Sequence, residues 1–136
     1  MESAFGNLNW LAIIVAAISS FIIGSLWYSA LMFQKPWMKA NKFTDESLKG
    51  ASMFKIFGLA FLLMLLASFS LAMYLGPDAG AGFGAAAGFM AGAFWVMAFM
   101  GVTYLFERKP LSLFLINGLY SVVALTVMGI IIGAWQ

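Results

Sequence analysis

The sequence contains no cysteine and no histidine, and only 9% of its 136 residues are charged. The two missing residue types exclude disulfides, thiolate chemistry and the commonest ligands for bound metal ions. The scarcity of charge excludes more. No Asp, Glu, Lys or Arg lies deep within any of the long apolar runs that make up most of the chain. Proton-coupled exporters and ion pumps keep such a group at mid-membrane, so its absence argues against proton-coupled transport. Proline is sparse as well. Pro36, Pro77 and Pro110 all fall between apolar runs, so no run carries the residue that most strongly breaks a helix.

What is present is four apolar blocks, 9–33, 56–75, 83–106 and 111–135, in a chain that is 64% hydrophobic. Each has about the 20 residues a helix needs to cross a bilayer core. The expected fold is an all-α membrane protein, one integral membrane domain over 1–136 with four transmembrane helices in an antiparallel bundle. Pro36 is expected to stop the first helix, Gly76–Pro77 to end the second, and Pro110 to open the fourth. The short turns after the second and third helices make each a neighbour of the next. Residues 34–55 form the one sizeable polar loop. There Thr44, Asp45 and Glu46 read as the cap and first turn of a short helix. The mixture of lysines with Trp37, Met38, Phe43 and Leu48 suits either a segment lying on the membrane surface or a solvated loop.

All seven basic residues fall in two loops: Lys35, Lys39, Lys42, Lys49 and Lys55 in one, Arg108 and Lys109 in the other. With four crossings, one orientation satisfies both. The basic loops, 34–55 included, are cytoplasmic, and both termini lie outside the cytoplasm. The basic pI of 9.0 then reflects orientation and contact with anionic headgroups, for which these seven cations are the candidate residues, and not nucleic-acid binding. Met1–Asn9 carries only Glu2 and lacks a positive leader, so the first block is expected to be retained as a span. Phe33–Pro36 and Phe106–Pro110 look alike, which suggests either an internal repeat of two hairpins or the shared chemistry of membrane exits.

Two patterns stand out within the blocks. Gly80, Gly84, Gly88 and Gly92 recur every fourth residue and place a smooth stripe along one helix face. Helices in lipid associate through close backbone contact, so the stripe is a packing signal. Its partner is open: Ala16–Ser20–Gly24 of the first helix, Ser68–Ala72–Gly76 of the second, or another subunit. Gly129 and Gly133 make a weaker second surface on the fourth helix. The other pattern is a set of neutral polar residues toward the basic side: Ser25, Trp27, Tyr28 and Ser29; Thr103, Tyr104 and Glu107; Ser112, Asn117, Tyr120 and Ser121. At 1.5 Å per residue, Tyr28 and Asn117 reach similar depths, about 10 Å inside their loops, and can meet. The group reads either as a hydrogen-bond network fixing helix register or as a shallow pocket for a small molecule or lipid headgroup. Met90, Met97 and Met100 share a face and carry thioethers that suit Cu(I). Met is also an ordinary apolar filler and nothing else supports a metal, so no metal and no cofactor is expected.

The run Gly24–Ser25–Leu26–Trp27–Tyr28–Ser29, preceded by Asn9–Trp10 and followed by Trp37–Met38, resembles the bacterial membrane family called domain of unknown function 1761. Leu115–Ile116–Asn117–Gly118–Leu119–Tyr120 through Gly129 and Trp135 is similar to that family's last helix. The resemblance implies a small four-helix protein of the bacterial inner (plasma) membrane and supplies no catalytic residues. The expected function is therefore non-enzymatic. The protein would act through helix association, as a homo-oligomer or a small subunit of a membrane complex, in contact with anionic lipids. The alternatives are a minimal channel or carrier for a small molecule or lipid, and an intramembrane enzyme reliant on Tyr, Ser or Glu107.

Overall fold

A computed structural model describes residues 6–135. Among these there is no strand, and four helices are long and apolar enough to cross a membrane. They are α1 (Trp10–Trp27), α4 (Met53–Leu75), α5 (Gly80–Glu107) and α6 (Leu111–Ala134). Two short helices, α2 (Gln34–Asn41) and α3 (Asp45–Lys49), fill the long loop.

Local chemistry sets most of the ends. Asn9 caps α1 by accepting from the Ala12 amide at 3.1 Å, and its side-chain amide donates to the Trp135 carbonyl at 2.6 Å. One residue thus ties the start of α1 to the end of α6. Thr44 and Ser47 cap α3 reciprocally, as a capping box does. Gly76 and Gly80 take φ of 77° and 80° at the turn between α4 and α5, a backbone region that suits glycine.

Three boundaries differ from the sequence reading. The first helix ends at Trp27 instead of Phe33; residues 28–33 form turns in which the Phe33 amide donates to the Trp27 carbonyl and the Gln34 amide to the Ser29 carbonyl. Pro36 stops nothing. It sits in the first turn of α2, where no donor is needed. Pro110 is the N-cap of α6 and not its first helical residue. Phe33 and Phe106 are correspondingly unlike: Phe33 precedes α2, while Phe106 lies within the last turn of α5. The likeness of the two loops does not extend to their structure.

α6 is the central helix, packed most extensively on α5, next on α1, and less on α4. Near the termini the core is wholly apolar apart from two serines. Ile13, Ala16, Leu71, Ala72, Leu75, Met128 and Ile132 form one buried cluster. Beside it, Ser68 on α4 donates to the Ile13 carbonyl at 2.7 Å, and Ser20 bonds within its own helix. The outward faces are equally apolar: Leu62, Leu63 and Leu66 are 61%, 61% and 60% exposed. Faces this rich in exposed apolar side chains match a hydrocarbon solvent and would be a liability in water.

Candidate functional site

The glycine stripe of α5 lies against α6. A Cβ on Gly84 would strike the Gly129 carbonyl, and one on Gly129 would strike the Gly84 carbonyl. The same holds for Gly88 against the Leu125 carbonyl and for Gly133 against the Gly80 carbonyl; a Cβ on Gly92 would lie 2.7 Å from Val122 Cα. Residue numbers rise along one helix as they fall along the other, and backbones touch over the whole seam. Neither α1 nor α4 is the partner of this stripe. Gly129 and Gly133 are not a second surface either; they are its other half. Gly80 contributes its carbonyl, but a Cβ there would meet open space, so its positive φ is what calls for glycine. Gly24 lies apart from the seam; a Cβ there would come 3.3 Å from the Tyr120 hydroxyl.

The seam closes at a wide turn of π-helix, Ala91–Val96, in the middle of α5. Beyond it backbones no longer touch. Met97 fills the notch at Gly118, and a Cβ on Gly101 would lie 3.2 Å from the Phe114 ring. Met97 is therefore a packing residue, and Met90 is 57% exposed; the two thioethers do not converge. Among the described residues, no group of His, Cys, Asp or Glu could hold a metal ion.

The polar residues of α1, α5 and α6 meet at the basic end. The Tyr28 hydroxyl donates to Asn117 Oδ1 at 2.7 Å, and Asn117 Nδ2 donates to the Tyr104 hydroxyl at 2.9 Å. One amide thus links three helices or their ends, and its two functional atoms serve different partners. Trp27 Nε1 donates to the Ile116 carbonyl at 2.9 Å, and the Tyr120 hydroxyl donates to the Ser20 carbonyl at 2.8 Å. The Tyr28 and Tyr120 rings stand edge to face, centroids 5.4 Å apart. Trp37 of α2 packs against Tyr28 at 5.7 Å and against Phe43 at 5.3 Å, which docks the loop helix on the bundle.

Five of the polar residues singled out in the sequence do not join this cluster. Ser29 and Ser121 bond carbonyls of their own helical segments, Leu26 and Asn117. Glu107 is exposed at the end of α5. Ser25 and Thr103 likewise bond back one turn, to Phe21 and Phe99. Short hydroxyl side chains in helices satisfy themselves this way, whereas Tyr, Trp and Asn are long enough to reach a neighbouring helix. Trp37 is the residue that sequence reasoning left out of the cluster; its position one helix beyond Tyr28 in an aromatic-rich loop was the available signal.

The seven cations divide. Lys35, Lys39 and Lys42 of the α2 segment and Arg108 after α5 line one groove of about 790 Å³, together with Pro36, Ala40, Pro110 and Ser112. Lys49, Lys55 and Lys109 stand outside it. Lys42 and Arg108 each have φ of 58°, the only positive values on non-glycine residues among those described. Each follows a helix whose last turn closes with paired bonds: Phe43 to Met38 with Lys42 to Lys39, and Lys109 to Tyr104 with Arg108 to Leu105. Glycine is the usual occupant of that position. A residue with a side chain there costs about 1 kcal/mol or more.

A family model described as "Protein of unknown function (DUF1761)" matches residues 11–133. The chain belongs to this family. No curated protein and no solved structure matches it. The match takes in α1 through α6, so the seam, the tyrosine–asparagine cluster and the basic groove all lie within the DUF1761 region.

Proposed function

We propose that this DUF1761 protein is a non-enzymatic membrane protein whose partner is the anionic leaflet on its basic side, with the basic loops cytoplasmic and both termini outside. The observation that carries the reading is the charge distribution. Every Lys and Arg belongs to the segment from α2 to the first turn of α4 or to the α5–α6 turn, and among the described residues none has an ion-pair partner. Cations near an anionic surface each add about 1 kcal/mol of attraction. The hydroxyl and amide groups inside the bundle support a structural role, since Tyr28, Asn117, Tyr104, Tyr120 and Trp27 are engaged with one another or with backbone carbonyls.

Helix association in this reading is internal. The stripe, whose partner in sequence was either another helix of the chain or another subunit, is occupied by α6 of the same chain. A through-going pathway has less support, because the polar cluster gives way to a tightly packed apolar core toward the termini.

Reconstitution tests the lipid partner. The full chain is expected to melt several degrees higher with phosphatidylglycerol than with phosphatidylcholine at equal lipid, by mass action on the folded state. The difference should shrink at high salt. Equal melting in the two lipids refutes the proposal. Orientation is tested by cysteine labelling, since the chain has no cysteine of its own. Asp78→Cys should label from outside intact cells and Lys109→Cys should not; the reverse pattern overturns the topology.

A further inference from the structure

We infer that the groove between α2 and the α5–α6 turn is a specific site for a phosphate-bearing headgroup with two negative charges, held by Lys35, Lys39, Lys42 and Arg108. The inference rests on the lipid reading above and narrows it from a charged face to one site.

Four of the chain's seven basic residues line this groove, and among the described residues no Asp or Glu does. Helix dipoles account for only part of the arrangement. Lys39, Lys42 and Arg108 lie at helix C-termini, where a cation is favourable. Lys35 is the second residue of α2, at the end where the same dipole disfavours it. Topology alone is also insufficient, since lysines placed anywhere in the loops satisfy it equally. The two helix C-caps with left-handed backbone, Lys42 and Arg108, bring their side chains to the same groove.

The volume of about 790 Å³ falls within the range of small-ligand sites. Pro36 and Pro110 make two stiff walls, and the Ser112 hydroxyl adds a donor beside the cations. The groove sits where α5 and α6 leave their apolar blocks, the end at which membrane-spanning helices would meet lipid headgroups. A singly charged headgroup would leave three of the four cations without a counter-charge. A dianion, either one phosphomonoester or two linked phosphodiesters, suits the set better. Guanidinium and ammonium groups are the usual partners of phosphate oxygens.

The test is native mass spectrometry of the full chain in detergent. It is titrated separately with cardiolipin, phosphatidylglycerol at equal phosphate, and inorganic phosphate. Cardiolipin should bind at least about tenfold more tightly than phosphatidylglycerol. Removing two groove cations in Lys39→Gln/Arg108→Gln should weaken cardiolipin about thirtyfold, the effect of two interfacial charges. Lys35→Gln/Lys39→Gln serves as a second variant that leaves the left-handed positions untouched and should act alike. Lys49→Gln/Lys55→Gln removes equal charge outside the groove and should change binding less than about threefold. Equal weakening by groove and control variants overturns the site while leaving the leaflet reading intact. No preference of the wild-type chain for any anionic lipid overturns both. Competition by millimolar inorganic phosphate with no lipid selectivity would reassign the groove to a soluble phosphate compound and overturn the lipid source.

Discussion

Gly88→Leu is expected to unfold the bundle, not to split an oligomer. Even a Cβ at this position runs into the Leu125 carbonyl, with Thr126 Cα at 3.0 Å. Backbone cannot turn aside as a flexible side chain can, so α5 and α6 must separate along the seam. That separation also breaks the facing contact of Gly84 with Gly129. In lipid there is no hydrophobic drive between helices to offset the loss, because the freed faces are solvated by acyl chains as well as by each other. Overpacking costs of 1–3 kcal/mol are ordinary in cores. A backbone collision at the centre of the most extensive helix pair should exceed about 3 kcal/mol, a fall of more than about 10 °C in melting temperature. Gly82→Ala is the control, since a Cβ there meets nothing within 4 Å; its effect should stay within about 0.5 kcal/mol. Circular dichroism melts and size-exclusion mass in detergent read both variants. A folded Gly88→Leu protein with an unchanged melt would contradict the seam. A folded protein of reduced mass would place a subunit contact on this face.

The second large effect is expected at Asn117. Its side chain accepts from Tyr28 and donates to Tyr104, so Asn117→Ala removes two interhelical bonds and leaves two phenols to find other partners. At about 0.6 kcal/mol per membrane hydrogen bond, the loss is about 1.2 kcal/mol, or roughly 3–6 °C in melting temperature. Tyr28→Phe removes one bond and should cost about half as much. Combining the two should recover about one bond's worth of coupling energy, because the Tyr28–Asn117 bond is lost only once. Additive effects would mean that the two side chains do not interact. Ser121→Ala, which loses only a bond to its own helix, should be near neutral. If Asn117→Ala melts normally but fails to retain lipid that the wild-type chain holds, the cluster contributes to binding and not to register.

The crossing helices were readable from the sequence because the signal for a span is local. About 20 apolar residues without charge suffice, whatever lies elsewhere. The separation of cations from termini was readable for the same reason. Thr44 as a cap and Gly76 as a terminator depend on neighbours within a few residues. The meeting of Tyr28 with Asn117 was anticipated from depth alone, since two residues equally far inside the same membrane face share a plane.

Partnership between faces needed the tertiary structure. The stripe at Gly84, Gly88 and Gly92 announced a close contact, but three candidate partners were equally smooth on paper, and the true one on α6 includes Leu125 and Val122 as well as glycines. Backbone shape, not residue type, completes that surface. The end of α1 at Trp27 was hidden too, because the apolar run continues to Phe33 while the chain turns, with Trp27 and Tyr28 bonded to Ile116 and Asn117 across the fold. So was the sorting of the polar candidates, in which Ser29, Ser121 and Glu107 drop out while Trp37 enters. The groove shows the same division. Composition placed seven cations on one side of the chain; only the docking of α2 on the bundle brought four of them to one site, because charge follows the sequence but proximity follows the packing.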